Sequence, residues 1–73
     1  MVTDGGSSEI EKLAHMANQI ANFFRPYPEQ AARDGVRTHI LSFWTPKMRA
    51  ELLAHADGLK LDPLVMAVLP GLA

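Results

Sequence analysis

Five prolines in 73 residues leave this chain few ways to fold, because each one stands at the edge of an apolar pattern with helical spacing. Proline locks its own φ, lacks a backbone donor and biases the preceding residue away from helical angles. Pro26 therefore stops any helix near Arg25. Thr45-Pro46 and Asp62-Pro63 each join a capping side chain to a proline suited to the first helical position, so each reads as a helix start. Pro28 reads as another first helical residue, with Glu29 favouring the positive end of the helix dipole. Pro70-Gly71 closes the last pattern.

The segments between these marks are helical in period. Ser8 is an N-cap with Glu11 at capping-box spacing. Ile10, Leu13, Ala17, Ile20 and Phe24 then recur on one stripe, widened by Ala14 and Ala21, which predicts a helix over about residues 9–24. Val36, Ile40, Phe43 and Trp44 share an apolar face of a second helix. Gly35 interrupts that helix at a cost of roughly 1 kcal/mol relative to alanine. Either another group approaches the backbone closely there, or Asp34 caps a shorter helix. A third helix runs from about Pro46 to Ala56 with Met48, Leu52 and Leu53 inward, and Gly58 stands where a terminator belongs. Leu64–Leu69 makes a short fourth helix and is the one stretch in which a strand competes. No internal repeat is present. The fold class is all-α: a small bundle of three helices plus a short C-terminal fourth. Residues 1–7 are expected to be a flexible tail and residues 8–73 a single helical domain.

Size then bears on function. A domain this short buries only roughly 60% of the surface its unfolded chain exposes and generally needs a staple. The chain has no cysteine, which removes disulfides, thiolate catalysis and cysteine-held metal clusters, and leaves a partner subunit as the natural staple. Hydrophobic residues make up 48% of the chain, too many for a disordered protein. No run approaches the ~18 apolar residues of a membrane span, and the N-terminus lacks the order of a signal peptide. A soluble cytoplasmic protein that binds no membrane is the expectation.

Chemistry of its own is thinly supported. His15, His39 and His55 lie too far apart for metal-ligand spacing on one helix, and no phosphate loop or paired carboxylates are present, so no catalytic, cofactor or metal site is expected. Arg25, Arg33, Arg37, Lys47 and Arg49 make the middle of the chain basic between acidic flanks. Arg33 and Arg37 on one helix face, with Lys47 and Arg49 opening the next, allow a small helical DNA-binding protein as a minor alternative. The formal net charge of −1 argues for no nucleic-acid partner and for a solvated charged face. What remains is an apolar excess. Met16 and Phe23 are displaced from the first stripe, and the fourth helix is apolar nearly all round, as expected of a protein–protein interface.

Two stretches, KLAHMANQIANFF (Lys12 to Phe24) and HILSFWTPKMRAELL (His39 to Leu53), resemble the delta subunit of NAD-dependent, molybdenum-containing formate dehydrogenases. The Met-Ala-Asn-Gln-Ile segment before a Phe-Phe pair and the Phe-Trp-x-Pro-(Arg/Lys)-Met-Arg junction carry the likeness, which covers roughly residues 10–69. Lys47 stands where arginine is the commoner residue, which keeps the charge but gives up bidentate pairing with a carboxylate. The resemblance implies a non-catalytic accessory subunit that docks on the alpha (catalytic) subunit and through it meets beta and gamma. Molybdenum cofactor, iron–sulfur clusters and flavin would then all reside in those partners. An assembly chaperone that leaves the mature enzyme is the alternative, and a homodimer is open to the isolated chain. The residues expected to meet the partner are Met16, Asn18, Gln19, Phe23, Trp44, Lys47 and Arg49. For Asn18 and Gln19 plain solvent exposure is the competing role, and for Trp44 a place at the centre of the core. At the Thr45-Pro46 corner Phe43 is expected to face inward, and Trp44 and Arg49 outward.

Overall fold

The computed structural model describes residues 5–72, with side chains from residue 9 onward. Four helices follow in order, α1 (Gly5–Phe24), α2 (Glu29–Phe43), α3 (Pro46–His55) and α4 (Pro63–Val68). Single 3-10 turns extend α3 over Ala56–Gly58 and α4 over Leu69–Leu72, and there is no strand among the described residues. The all-α reading of the sequence therefore holds.

The prolines set the bounds much as their chemistry requires. Thr45 has extended angles and its hydroxyl accepts from Met48 N at 3.1 Å, with Pro46 opening α3. Asp62 does the same for α4, its carboxylate accepting from Leu64 N at 2.9 Å with Pro63 next in line. Pro28 corrects its expected place by one residue: with ψ at 149° it is the N-cap, and Glu29 is the first helical residue. The Pro28 carbonyl still takes the first helical bond, from Ala32 N. The start of α1 is also corrected. The helix begins at Gly5, which puts the backbone of Ser8 inside it and not at its cap. Adding residues to a helix that already exists is cheap compared with nucleating one, so a good helix runs past a local cap signal. Residues 1–4 of the expected tail lie outside the described residues.

α2 packs against both α1 and α4, α1 also touches α3 and α4, and the Leu69–Leu72 turn closes on α2 and α3. Leu13, Ala17 and Ala21 of α1 are buried at intervals of four residues. Small side chains there let the neighbouring helices approach closely. Val36 and Ile40 of α2, Leu52 of α3 and Val65 of α4 meet them with no exposed surface. Val68, Leu69 and Leu72 complete the core, so most of the apolar C-terminus that the sequence offered as interface is absorbed internally.

Gly35 resolves in favour of close approach. A Cβ at this position would fall on the ring of Phe24, with Phe24 Cγ at 3.0 Å. α2 continues through the glycine without a break, and the Phe24 ring occupies the space a side chain would need.

Candidate docking surface

The seven residues expected to meet a partner divide into three kinds of position. Gln19 and Lys47 are exposed, and Phe23 keeps 68% of its surface open to solvent. Phe23 rests edge-on against Phe24, and Phe24 against Tyr27, with ring centroids 5.0 and 5.7 Å apart. Tyr27, which the sequence reading passed over, is 51% exposed, so two aromatic side chains stand out together where α1 ends. Met16 is half-buried and packs against the core.

Asn18 and Arg49 are used internally. The Asn18 amide donates to the Lys60 carbonyl at 2.9 Å and its oxygen accepts from Asp62 N at 2.8 Å. It thereby satisfies two backbone groups of the segment entering α4. Arg49 is half-buried, donates from one terminal nitrogen to the Trp44 carbonyl at 3.1 Å and keeps its Nε buried without an acceptor. It thereby fastens the corner before Pro46 while remaining partly exposed.

The two aromatics at that corner are reversed from expectation. Trp44 is 5% exposed and belongs to the core, whereas Phe43 is 72% exposed. Trp44 is the C-cap of α2 and keeps the last helical bond, its N–H donating to the Ile40 carbonyl at 2.9 Å. Its φ of −93° and ψ of 143° turn the chain away only after it, toward Thr45 and Pro46. Trp44 therefore continues the buried series Ala32, Val36 and Ile40 at four-residue spacing, and Phe43 lies off that series. The Phe43 ring lies against His39, centroids 4.7 Å apart.

Another constellation was not read from the sequence. Arg25 Nη2 meets Asp62 Oδ2 at 2.5 Å while Nη1 reaches Oδ1 at 3.4 Å, and Nη2 also donates to Asn22 Oδ1 at 2.5 Å. Asp62 thus caps α4 and ties it to the end of α1. The hydrogen bond from Arg25 holds the Asp62 carboxyl below its ordinary pKa, opposed by partial burial and assisted by the Leu64 N–H. The same bond raises Arg25. A signal did exist, since Arg25 directly precedes a helix-stopping proline and Asp62 precedes another. Nothing local, however, brings positions 37 residues apart together.

Open depressions mark the surface of the described residues. One lies between the N-terminal half of α1 and α3, with Ile10, Ala50, Ala54 and Leu59 among its lining residues and Lys47 at its edge. Another lies beside Arg25, Tyr27 and Pro63. Arg33 pairs with Glu29 at 2.5 Å and Arg37 with Asp34 at 3.2 Å, so the basic face of α2 is largely neutralised by its own helix. Among the described residues no helix is long and apolar enough to cross a membrane, and no three His, Cys, Asp or Glu side chains converge.

Residues 12–69 match the family described as NADH-dependent formate dehydrogenase delta subunit FdsD. No curated protein and no solved structure matches the chain. The match contains α2, α3 and α4 complete and the part of α1 that supplies the core alanines and the Phe23-Phe24 pair, and so the chain belongs to the delta-subunit family of NADH-dependent formate dehydrogenases.

Proposed function

We propose that this chain is a non-catalytic accessory subunit that docks on the alpha subunit of a soluble formate dehydrogenase and, through it, supports the assembly, stability and activity of the whole complex. The family match over residues 12–69 carries this reading. The neighbouring exposed aromatics Phe23 and Tyr27 at the end of α1 agree with it, as apolar side chains left open to a partner. Gln19, Phe23 and Lys47 are the expected contact residues that remain free to reach a partner; Trp44, Asn18 and Arg49 act by holding the shape of that surface.

The mechanism is linkage. A subunit that binds only the assembled enzyme lowers the free energy of that state by mass action, by about 2.7 kcal/mol when present at 100 times its Kd. It needs no cofactor for this. Molybdenum cofactor, iron–sulfur clusters and flavin stay in the larger subunits, where formate is oxidised and NAD reduced.

Capture of the tagged full-length chain from native extract tests the reading. Stoichiometric recovery of enzyme containing molybdenum and iron and able to reduce NAD with formate is the expected result. Recovery only of cofactor-free alpha subunit would favour the assembly-chaperone role, and recovery of none of these subunits would overturn both.

A further inference from the structure

The groove between α1 and α3 has a definite chemistry. Its floor is apolar, from Ile10 and Leu59 at one side to Ala50 and Ala54 on α3. The two alanines lie one helical turn apart, are exposed, and point away from the fully buried Leu52. A face of such small side chains lets another helix come near the short end of the usual 8–10 Å separation. The rim is acidic: Glu9 and Glu11 stand on α1 and Glu51 on α3, against Lys47.

None of these three carboxylates has an ion-pair partner among the described residues. Arg25, Arg33 and Arg37 are committed to Asp62, Glu29 and Asp34. Three carboxylates against the one lysine leave the rim net acidic among the described residues, and so available to a cationic group brought from outside.

We propose that this groove receives a basic amphipathic helix of the partner, one with an apolar stripe flanked by lysine or arginine. The inference rests on the subunit reading above and adds to it the surface used and the chemistry recognised there. An acidic rim attracts such a segment and repels acidic ones, which sets specificity and on-rate more than final affinity. A second copy of this chain is a poor occupant, because the arginines of α2 are held by that helix's own carboxylates. The exposed Lys12, Lys47 and Lys60 stand on α1, on α3 and in the segment before α4, so no described helix offers an apolar stripe flanked by free basic residues. Nucleic acid is repelled by the sign of the rim.

The test uses the tagged full-length chain co-expressed with the other subunits of the complex. Zero-length carbodiimide cross-linking of the captured complex is expected to join Glu9, Glu11 or Glu51 to lysines of one helical segment of a partner. The combined charge reversal Glu9→Lys, Glu11→Lys and Glu51→Lys is expected to weaken capture about tenfold and to change its salt dependence. Ala54→Trp, which fills the groove without altering charge, is expected to abolish capture, with helical content checked by circular dichroism for each variant. Failure of the wild-type chain to capture any subunit would sink the subunit reading itself. Capture of wild type with undiminished capture of both variants, or cross-links confined to other surfaces, would overturn the groove alone.

Discussion

Gly35 shows how one position sets two opposed effects against each other. Replacing glycine by alanine inside a helix contributes about 1 kcal/mol through propensity. Here the new methyl would strike the Phe24 ring, and overpacking of that kind costs typically 1–3 kcal/mol. Gly35→Ala is therefore expected to lower the urea midpoint, and Phe24→Leu in the same chain to restore part of it. Phe43 and Trp44 offer a sharper contrast. Trp44→Ala removes a buried indole and should cost about 3–5 kcal/mol, enough to leave so small a domain largely unfolded. Phe43→Ala removes a side chain that is 72% exposed and should stay within about 0.5 kcal/mol. Because Trp44 is the chain's one tryptophan, its fluorescence emission reads the burial directly: short-wavelength in the native state, red-shifted in urea.

At the scale of elements, short helices depend on their ends. α4 has six residues, too few to form alone, and it is held by the Asp62 cap, the Arg25 pair and the Asn18 amide. Asp62→Ala should cost about 1 kcal/mol for the cap, with a further loss from the orphaned arginine. The effect of pH follows from the sign of the shift. The folded-state pKa of Asp62 lies below its unfolded value, so the stabilisation is present above about pH 4 and is lost as pH falls through the folded-state value. Urea midpoints measured down to about pH 2 should therefore fall more steeply in wild type than in Asp62→Asn. Thr45→Ala, which removes the acceptor for Met48 N, should likewise cost about 1 kcal/mol and fray the first turn of α3.

For the molecule as a whole, the C-terminus is part of the core. Leu72 and Val65 are fully buried and Leu69 nearly so, and the turn that carries Leu69 and Leu72 packs against both α2 and α3. Leu72→Ala is expected to cost about 2–5 kcal/mol, and deletion of residues 69–73 to abolish cooperative unfolding. The same marginal stability makes partner binding visible. On the proposed docking, addition of the alpha subunit should raise the thermal midpoint of the wild-type chain in a concentration-dependent way, as mass action requires.

Local chemistry in the sequence determined the punctuation of this protein. A Thr or Asp before a proline acts within one turn of its own backbone, so α3 and α4 start where those pairs stand, and the apolar period of 3.6 marks Leu13, Ala17, Val36 and Ile40 as core. The family pattern was legible for the same reason, in stretches of contiguous residues. What only the tertiary structure decided is which of two neighbouring aromatics goes inside and which polar side chains are consumed internally. The helical period puts both Phe43 and Trp44 beside Val36 and Ile40, and only the packing at the end of α2 decides that Trp44 extends the buried series while Phe43 stays in solvent. Asn18 and Arg25 are bound to groups around forty residues away, and no local rule specifies a pairing that exists only once α4 has docked on α1.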